Sequence, residues 1–218
     1  GRVDVPVPAG RLDFSVSSLA ALEDGSILVA GGSQGAAVVE KLHPDGSPDL
    51  TFGNAAVVLT DFGIVGIRFT ALATQSDGRI LASGVSFGDA HGQTFVVERL
   101  NADGSLDSSF GLNGISRFAL AKSGADMFSG SAVRDMSVDS AGRIVISGDA
   151  FNGADLHRDL ALLRLLPDGT LDPSFGRLAT LGGSVPFLEG NPAVRLDPDV
   201  SVYDAELASL NGGSGNYG

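Results

Sequence analysis

The chain has 218 residues, 43% of them apolar and 18% charged, which is enough for one large globular domain or one domain and part of a second. Its net charge of −12 leaves no basic surface for phosphates or anionic lipid, which argues against nucleic acids and membrane surfaces as partners. The sequence contains no cysteine, so disulfides, thiolate metal sites and cysteine nucleophiles are excluded. No apolar run approaches the roughly 20 residues of a spanning helix, so membrane insertion is not predicted.

The predicted elements repeat three times along the chain. A turn followed by a short apolar run recurs as ALEDGSILVAGG from Ala21, ATQSDGRILASG from Ala73 and SVDSAGRIVISG from Ser137. A second block ends each repeat in Phe-Gly, as AVVEKLHPDGSPDLTFG, FVVERLNADGSLDSSFG and LALLRLLPDGTLDPSFG. The repeat length is about sixty residues, and a regular period of this size indicates a repeat architecture.

Each repeat contains four short apolar runs, which in the middle repeat lie at about residues 69–73, 80–85, 95–100 and 115–120. These lengths are typical of strands, and the intervening turns predict a four-stranded antiparallel meander. The runs ILVA, ILAS and IVIS are apolar at consecutive positions, so both faces of each sheet are predicted to be covered. Stacked four-stranded sheets of this kind form a β-propeller, which explains the repetition better than a β-sandwich does.

The recurring turn, strand and Phe-Gly elements resemble the delta-60 repeats, predicted β-propeller repeats of large bacterial proteins, over about residues 1–181. The resemblance implies an all-β fold of propeller blades at about 19–60, 69–120 and 133–181, within a domain spanning 1–183. It implies no particular activity. Three copies are fewer than the four to eight blades of a closed ring, so we expect an incomplete propeller that begins within an earlier repeat.

Beyond residue 183 the repeat pattern stops. Residues 184–218 resemble a linker and the truncated start of a cadherin-like or immunoglobulin-like module, and such a sandwich needs roughly 100 residues. We therefore expect this tail to be poorly ordered or docked on the propeller.

The stretch GGSQG at residues 31–35 matches the G-x-S-x-G pattern of a hydrolase nucleophile elbow. The next repeat carries a second match at residues 84–88, and a strand rather than a helix is predicted after Ser33. Because an elbow needs a helix after a single serine and a histidine partner, we predict no catalytic residue here and no enzymatic activity.

Paired acids occur in the second block of every repeat. We predict that the first acid sets a turn, that the second accepts hydrogen bonds from the residue two positions on, and that the phenylalanine anchors the corner in the core. Calcium ligation by the same carboxylates is the alternative. The predicted structural residues are Asp45, Gly46, Asp49 and Phe52, then Asp103, Gly104, Asp107 and Phe110, then Asp168, Gly169, Asp172 and Phe175.

Two sets of weak metal candidates remain. Asp89, His91, Asp155 and His157 lie in loops that adjacent blades would present on one rim, where they could hold Zn, Mn or Ni. Asp197, Asp199, Asp204 and Glu206 form an acidic cluster in the tail, where calcium could rigidify a module boundary. Both sets can also be ordinary solvent-exposed residues of a loop or linker, which need no metal. The sequence therefore requires no cofactor, and calcium binding stays an alternative.

The sequence thus predicts a non-enzymatic structural or binding segment of a large secreted or surface bacterial protein, adhesin-like and extracellular. Its expected partners are a protein or glycan ligand and the neighbouring blades and modules of the full-length chain. A propeller enzyme acting on carbohydrate, of glycosidase or lyase type, is one alternative, although both tyrosines lie in the tail and tryptophan is absent. A calcium-dependent adhesion segment is the other.

Overall fold

The computed structural model describes residues 2, 13–61, 66–89, 92–119, 132–152 and 157–175. All regular elements among these residues are β-strands, arranged in three antiparallel sheets that do not close into a ring. The predicted fold class, an all-β incomplete propeller, is therefore confirmed. Within this part of the chain, no helix is long and apolar enough to cross a membrane.

The three sheets follow one another along the chain. Sheet 1 contains, in order, β1 (Ser15–Ala21), β2 (Ile27–Ser33), β3 (Ala36–Leu42) and β4 (Val57–Thr60). Sheet 2 contains β5 (Gly66–Thr74), β6 (Ile80–Asp89), β7 (Gly92–Leu100) and β8 (Ile115–Ala119). Sheet 3 contains β9 (Ala132–Val138), β10 (Ile144–Asn152) and β11 (His157–Leu165). Each predicted run of the middle repeat coincides with a strand of sheet 2.

Tight turns that end in glycine join the strands at one end of every sheet. The N–H of Gly46 donates to the carbonyl of His43 at 2.8 Å, and the N–H of His43 donates to the carbonyl of Ser47 at 2.8 Å. The same pair of bonds closes the turns that end at Gly25, Gly78, Gly104, Gly142 and Gly169. All six glycines have φ between 75° and 85°, in the left-handed region that glycine enters without steric cost.

A glycine on the second strand of each sheet faces an irregularity in the first strand. The pairing register shifts between Val16 and Ser18 opposite Gly31, and sheets 2 and 3 shift at the equivalent places. A Cβ atom on these glycines would lie 2.0 Å, 1.8 Å and 2.3 Å from carbonyl oxygens of the first strand, at Gly31, Gly84 and Gly148 respectively. The glycine that begins GGSQG is thus required by the bulge of its blade.

Two apolar clusters fill the spaces between the sheets. One joins sheets 1 and 2 and includes Leu28, Phe52 and Phe69; the other joins sheets 2 and 3 and includes Phe95 and Ile146. The strand ILAS of sheet 2 is buried at every position, whereas ILVA and IVIS alternate between buried and half-buried residues. The middle sheet is covered on both faces because a sheet lies on each side of it.

The chain divides into two compact units, residues 1–172 and 173–218. Of the second unit only residues 173–175 are described, so the predicted linker and module at 184–218 lie outside the described residues.

Candidate functional site

A pocket of about 410 Å³ opens at the end of the sheets opposite to the Asp-Gly turns. All three sheets contribute to it, through the beginnings of their first strands and the ends of second strands. First strands pack against one another around the axis of a propeller, and here β5 contacts both β1 and β9. We call this the axial pocket; its polar residues are Asp13, Ser15, Ser33, Gln34, Arg68 and Thr70, and its apolar ones include Ile67, Val85, Phe87 and Val133.

The GGSQG stretch forms one wall of the axial pocket. A Cβ atom on Gly32 would lie 3.3 Å from Cβ, Cγ and Nε of Arg68, so this glycine leaves room for the arginine of the next blade. Ser33 is buried, and its hydroxyl donates to Asp13 Oδ1 at 3.4 Å.

The hairpin turn after Ser33 projects into the pocket mouth. Gln34 and Gly35 have φ of 49° and 84°, the left-handed pair of a two-residue hairpin. Gly35 also links two blades, because its carbonyl accepts the N–H of Ile67 at 2.9 Å. Gln34 is exposed in this uncommon conformation, and its side-chain amide is therefore available to a ligand.

Arg68 is exposed and makes no hydrogen bond or ion pair with the described residues. Every other arginine with a described side chain has a partner, for example Arg99 on Asp107 at 2.8 Å and Arg143 on Asp139 at 2.7 Å. In a chain of net charge −12, a guanidinium held against Gly32 rather than against a carboxylate is the most distinctive group of the pocket.

Ser33 lacks the surroundings of a nucleophile elbow. The strand β3 follows it after the two-residue turn, where an elbow has a helix. His43 lies just after β3, at the opposite end of sheet 1. The equivalent Ser86 in sheet 2 is buried with its Oγ 2.5 Å from Oγ1 of Thr94.

The paired acids of each repeat lie in the turns at the other end of the sheets. Oδ1 of Asp45, Asp103 and Asp168 accepts the hydroxyl hydrogen of the residue two positions on, at 2.6 Å, 2.6 Å and 2.7 Å. Oδ1 of Asp49 and Asp107 does the same with Thr51 and Ser109, at 2.6 Å and 2.7 Å. The Thr51 hydroxyl, with the nearby Lys41 ammonium, lowers the pKa of Asp49 to about 2. These oxygens are therefore engaged within the turns.

The acid and aromatic residues after these turns join neighbouring strands and sheets. Asp172 accepts the Nε–H of Arg164 at 2.7 Å, as Asp107 accepts that of Arg99. Phe52 and Phe110 are 1% and 0% exposed, in line with an anchoring role.

The rim candidates fall only in part on described residues. Asp89 ends β6 and His157 begins β11, both at the end of the sheets where the axial pocket opens, but His91 and Asp155 lie outside the described residues. The tail cluster of Asp197, Asp199, Asp204 and Glu206 lies outside them as well. Among the described residues, no group of three or more histidines and acids is placed to hold a metal ion.

A buried acid between sheets 1 and 2 was not singled out from the sequence. Glu98 on β7 is 0% exposed, and Thr60 of sheet 1 donates its hydroxyl hydrogen to Oε2, while Oε1 has no partner among the described residues. Burial raises the pKa of Glu98 to about 7, and the Thr60 hydrogen bond opposes part of that rise. The signal was present in VVEKL and VVERL, where a glutamate interrupts a run that is otherwise apolar on both faces.

The comparison with protein families decides what kind of repeat this is. A family model described as a domain of unknown function (DUF5122) beta-propeller matches residues 22–52, 75–110 and 142–175. These three segments are repeats of this β-propeller family. It is the delta-60 repeat family that the sequence resembles. Each matched segment runs from the turn before the second strand to the Phe-Gly corner, so Gly32 to Gly35 lie within a delta-60 match, whereas Asp13 and Arg68 lie outside. No curated protein matches the chain.

Proposed function

We propose that this chain is a non-enzymatic binding segment of a large secreted or surface bacterial protein, and that its axial pocket binds a carboxylate-bearing glycan. The observation that carries the proposal is Arg68, an exposed guanidinium in a pocket built by three blades and without a partner among the described residues. A guanidinium binds a carboxylate through two parallel hydrogen bonds, which gives both affinity and orientation.

The other polar groups of the pocket suit sugar hydroxyls. Gln34 offers an amide, Ser15 a hydroxyl and Asp13 a carboxylate acceptor. A volume of about 410 Å³ is within the usual range of small-ligand sites. A sugar acid would therefore place its carboxylate on Arg68 and its hydroxyls on the surrounding donors and acceptors.

Binding without turnover is favoured by the number of carboxylates. Glycosidases of the common kinds use two, one as acid and one as base or nucleophile. Among the described lining residues only Asp13 carries one. An adhesin-like role, in which the propeller holds a surface glycan and leaves it intact, is consistent with this count.

The test is calorimetric titration with galacturonate oligosaccharides and, in parallel, with galactose oligosaccharides of the same length. We expect binding of the acidic oligosaccharide only, and a loss of roughly ten- to hundredfold in affinity in Arg68→Gln, because a charge-assisted pair is removed.

Arg143→Gln is the matched control, since it removes the same charge at the opposite end of sheet 3. Equal binding of neutral and acidic oligosaccharides, or equal weakening in both variants, would contradict the proposed site. Release of reducing ends during incubation would contradict the non-enzymatic role.

A further inference from the structure

One apolar part of the axial pocket is not used by the carboxylate and hydroxyls of a sugar acid. Gly66, the first residue of β5, stands directly opposite Phe87 of β6, and both residues line the pocket. Side chains on directly opposite residues of neighbouring strands pack beside each other, with Cβ atoms about 5 Å apart. Because Gly66 has no side chain, β5 leaves one flank of the Phe87 ring uncovered.

The space beside Phe87 has room for a methyl group. A Cβ atom built on Gly66 would meet no atom of the described residues within 4 Å. Phe87 is half-buried and packs against the apolar cluster between sheets 2 and 3, so its ring is held in place from behind. We call this space, bounded by Gly66 and Phe87, the methyl notch.

A side-chain amide stands next to the methyl notch. The carbonyl of Gly35 accepts the N–H of Ile67 at 2.9 Å, so the turn formed by Gln34 and Gly35 lies beside the start of β5. Gln34 is exposed, and its amide carries two donors and one acceptor. An apolar wall and an amide group therefore lie side by side at this end of the pocket.

We propose that the ligand of the axial pocket is an N-acetylated sugar acid, an inference that rests on the proposed binding of a carboxylate by Arg68. An acetamido group joins a methyl to an amide, and these are the two partners that the notch and Gln34 require. The methyl fills the methyl notch and leaves water, while the amide exchanges hydrogen bonds with Gln34.

The spacing of the two sites favours a sugar ring as the carrier of both groups. Gly66 and Arg68 are two residues apart on β5, which separates their Cα atoms by about 6.6 Å along the strand. A carboxylate and an acetamido group at opposite ends of a sugar ring span such a separation. The same groups on a single carbon atom, as in an N-acetylated amino acid, fall short of it.

Calorimetric titration of the whole chain with two methyl glycosides tests the inference. The methyl glycosides of N-acetylgalactosaminuronic acid and galacturonic acid differ only at carbon 2, which carries an acetamido group in the first and a hydroxyl in the second. We expect the N-acetylated acid to bind roughly tenfold more tightly, because it adds a buried methyl and an amide hydrogen bond. N-acetylalanine, which lacks the ring, is expected to bind at least about tenfold more weakly than the N-acetylated sugar acid.

Two variants assign the preference to the notch and to the amide. Gly66→Ala places a methyl of the protein where the ligand's methyl would lie, so we expect the two glycosides to bind equally. Gln34→Gly suits the left-handed backbone of the turn and is expected to reduce the preference roughly threefold.

Asn113→Gly is the matched control for the second variant. Asn113 is likewise an exposed amide residue with φ of 54° before a left-handed glycine, but it lies in the turn before β8 and outside the pocket. This variant should keep the full preference for the N-acetylated acid.

The two proposals can fail separately. Equal affinity of the native chain for the two glycosides overturns this inference and leaves the carboxylate site standing, and this comparison needs no variant. A preference that survives Gly66→Ala, or N-acetylalanine binding as tightly as the N-acetylated sugar acid, also overturns it. If neither glycoside binds, the carboxylate site itself is refuted and this inference falls with it.

Discussion

Replacing Glu98 by Gln is expected to stabilise the fold above pH 7 by about 3 kcal/mol relative to the native chain, with little effect below pH 4.5. The side chain is fully buried between sheets 1 and 2, where an ionised carboxylate is poorly solvated. Because its native pKa is raised, Glu98 loses its proton at a lower pH in the unfolded chain than in the native protein. The free energy of unfolding is therefore greatest below pH 4.5 and falls as the pH rises to about 7. Glutamine keeps an acceptor for Thr60 and removes this titration.

Urea unfolding of both proteins below pH 4.5 and above pH 7 measures the effect. The difference between their two pH profiles isolates Glu98 from other acids, including Glu40, whose pKa is also raised by burial. Parallel profiles would show that the pKa of Glu98 is the same in the native and unfolded states, because water reaches the native carboxyl group, and the expectation would then fail.

The third repeat supplies a further variant. Leu163 stands on β11 at the position aligned with Glu40 and Glu98, so a leucine is compatible with the blade. We expect Glu98→Leu combined with Thr60→Val to be stabilising above pH 7 as well, because the double change leaves no hydroxyl without a partner.

Replacing Gly84 by Ala is expected to destabilise the fold by roughly 3 kcal/mol or more and to lower the melting temperature by about 10 °C. The added methyl carbon would lie 1.8 Å from the carbonyl oxygen of Arg68, which is held in place by the bulge of β5. Relief requires the first strand to move away from the second, and this would open the cluster around Phe69.

Gly66→Ala is the matched control for this clash. It adds the same methyl group near the start of β5, where nothing lies within 4 Å of the new atom. Differential scanning calorimetry of the three proteins should separate them clearly. If Gly84→Ala had the same melting temperature as Gly66→Ala, the bulge would be shown to accommodate a side chain.

Local patterns were sufficient to predict the blades. Turns and strands depend on residues that are close together in the chain, so the turn glycines and the four short apolar runs are visible in the sequence. The period of about sixty residues is visible there as well. The hydrogen bonds of Asp49 with Thr51 and of Asp107 with Ser109 join residues two positions apart, and they too followed from spacing.

The candidate site could be located only approximately. The sequence placed candidate metal ligands in loops on one rim of the blades, but Asp13, Gln34 and Arg68 were not singled out. They come from separate strands and turns of two repeats, and Arg68 stands out only because the arginines in the other positions have carboxylate or hydroxyl partners.

Sequence alone therefore determined that this protein is a three-repeat, all-β chain of propeller blades, since strand length, turn type and repeat period depend on near neighbours. Only the tertiary structure decided that Glu98 is buried beside Thr60 and that Arg68 lies over Gly32. Burial and exposure at these positions depend on how the sheets pack against one another, and the residues that meet in this packing are far apart in the chain.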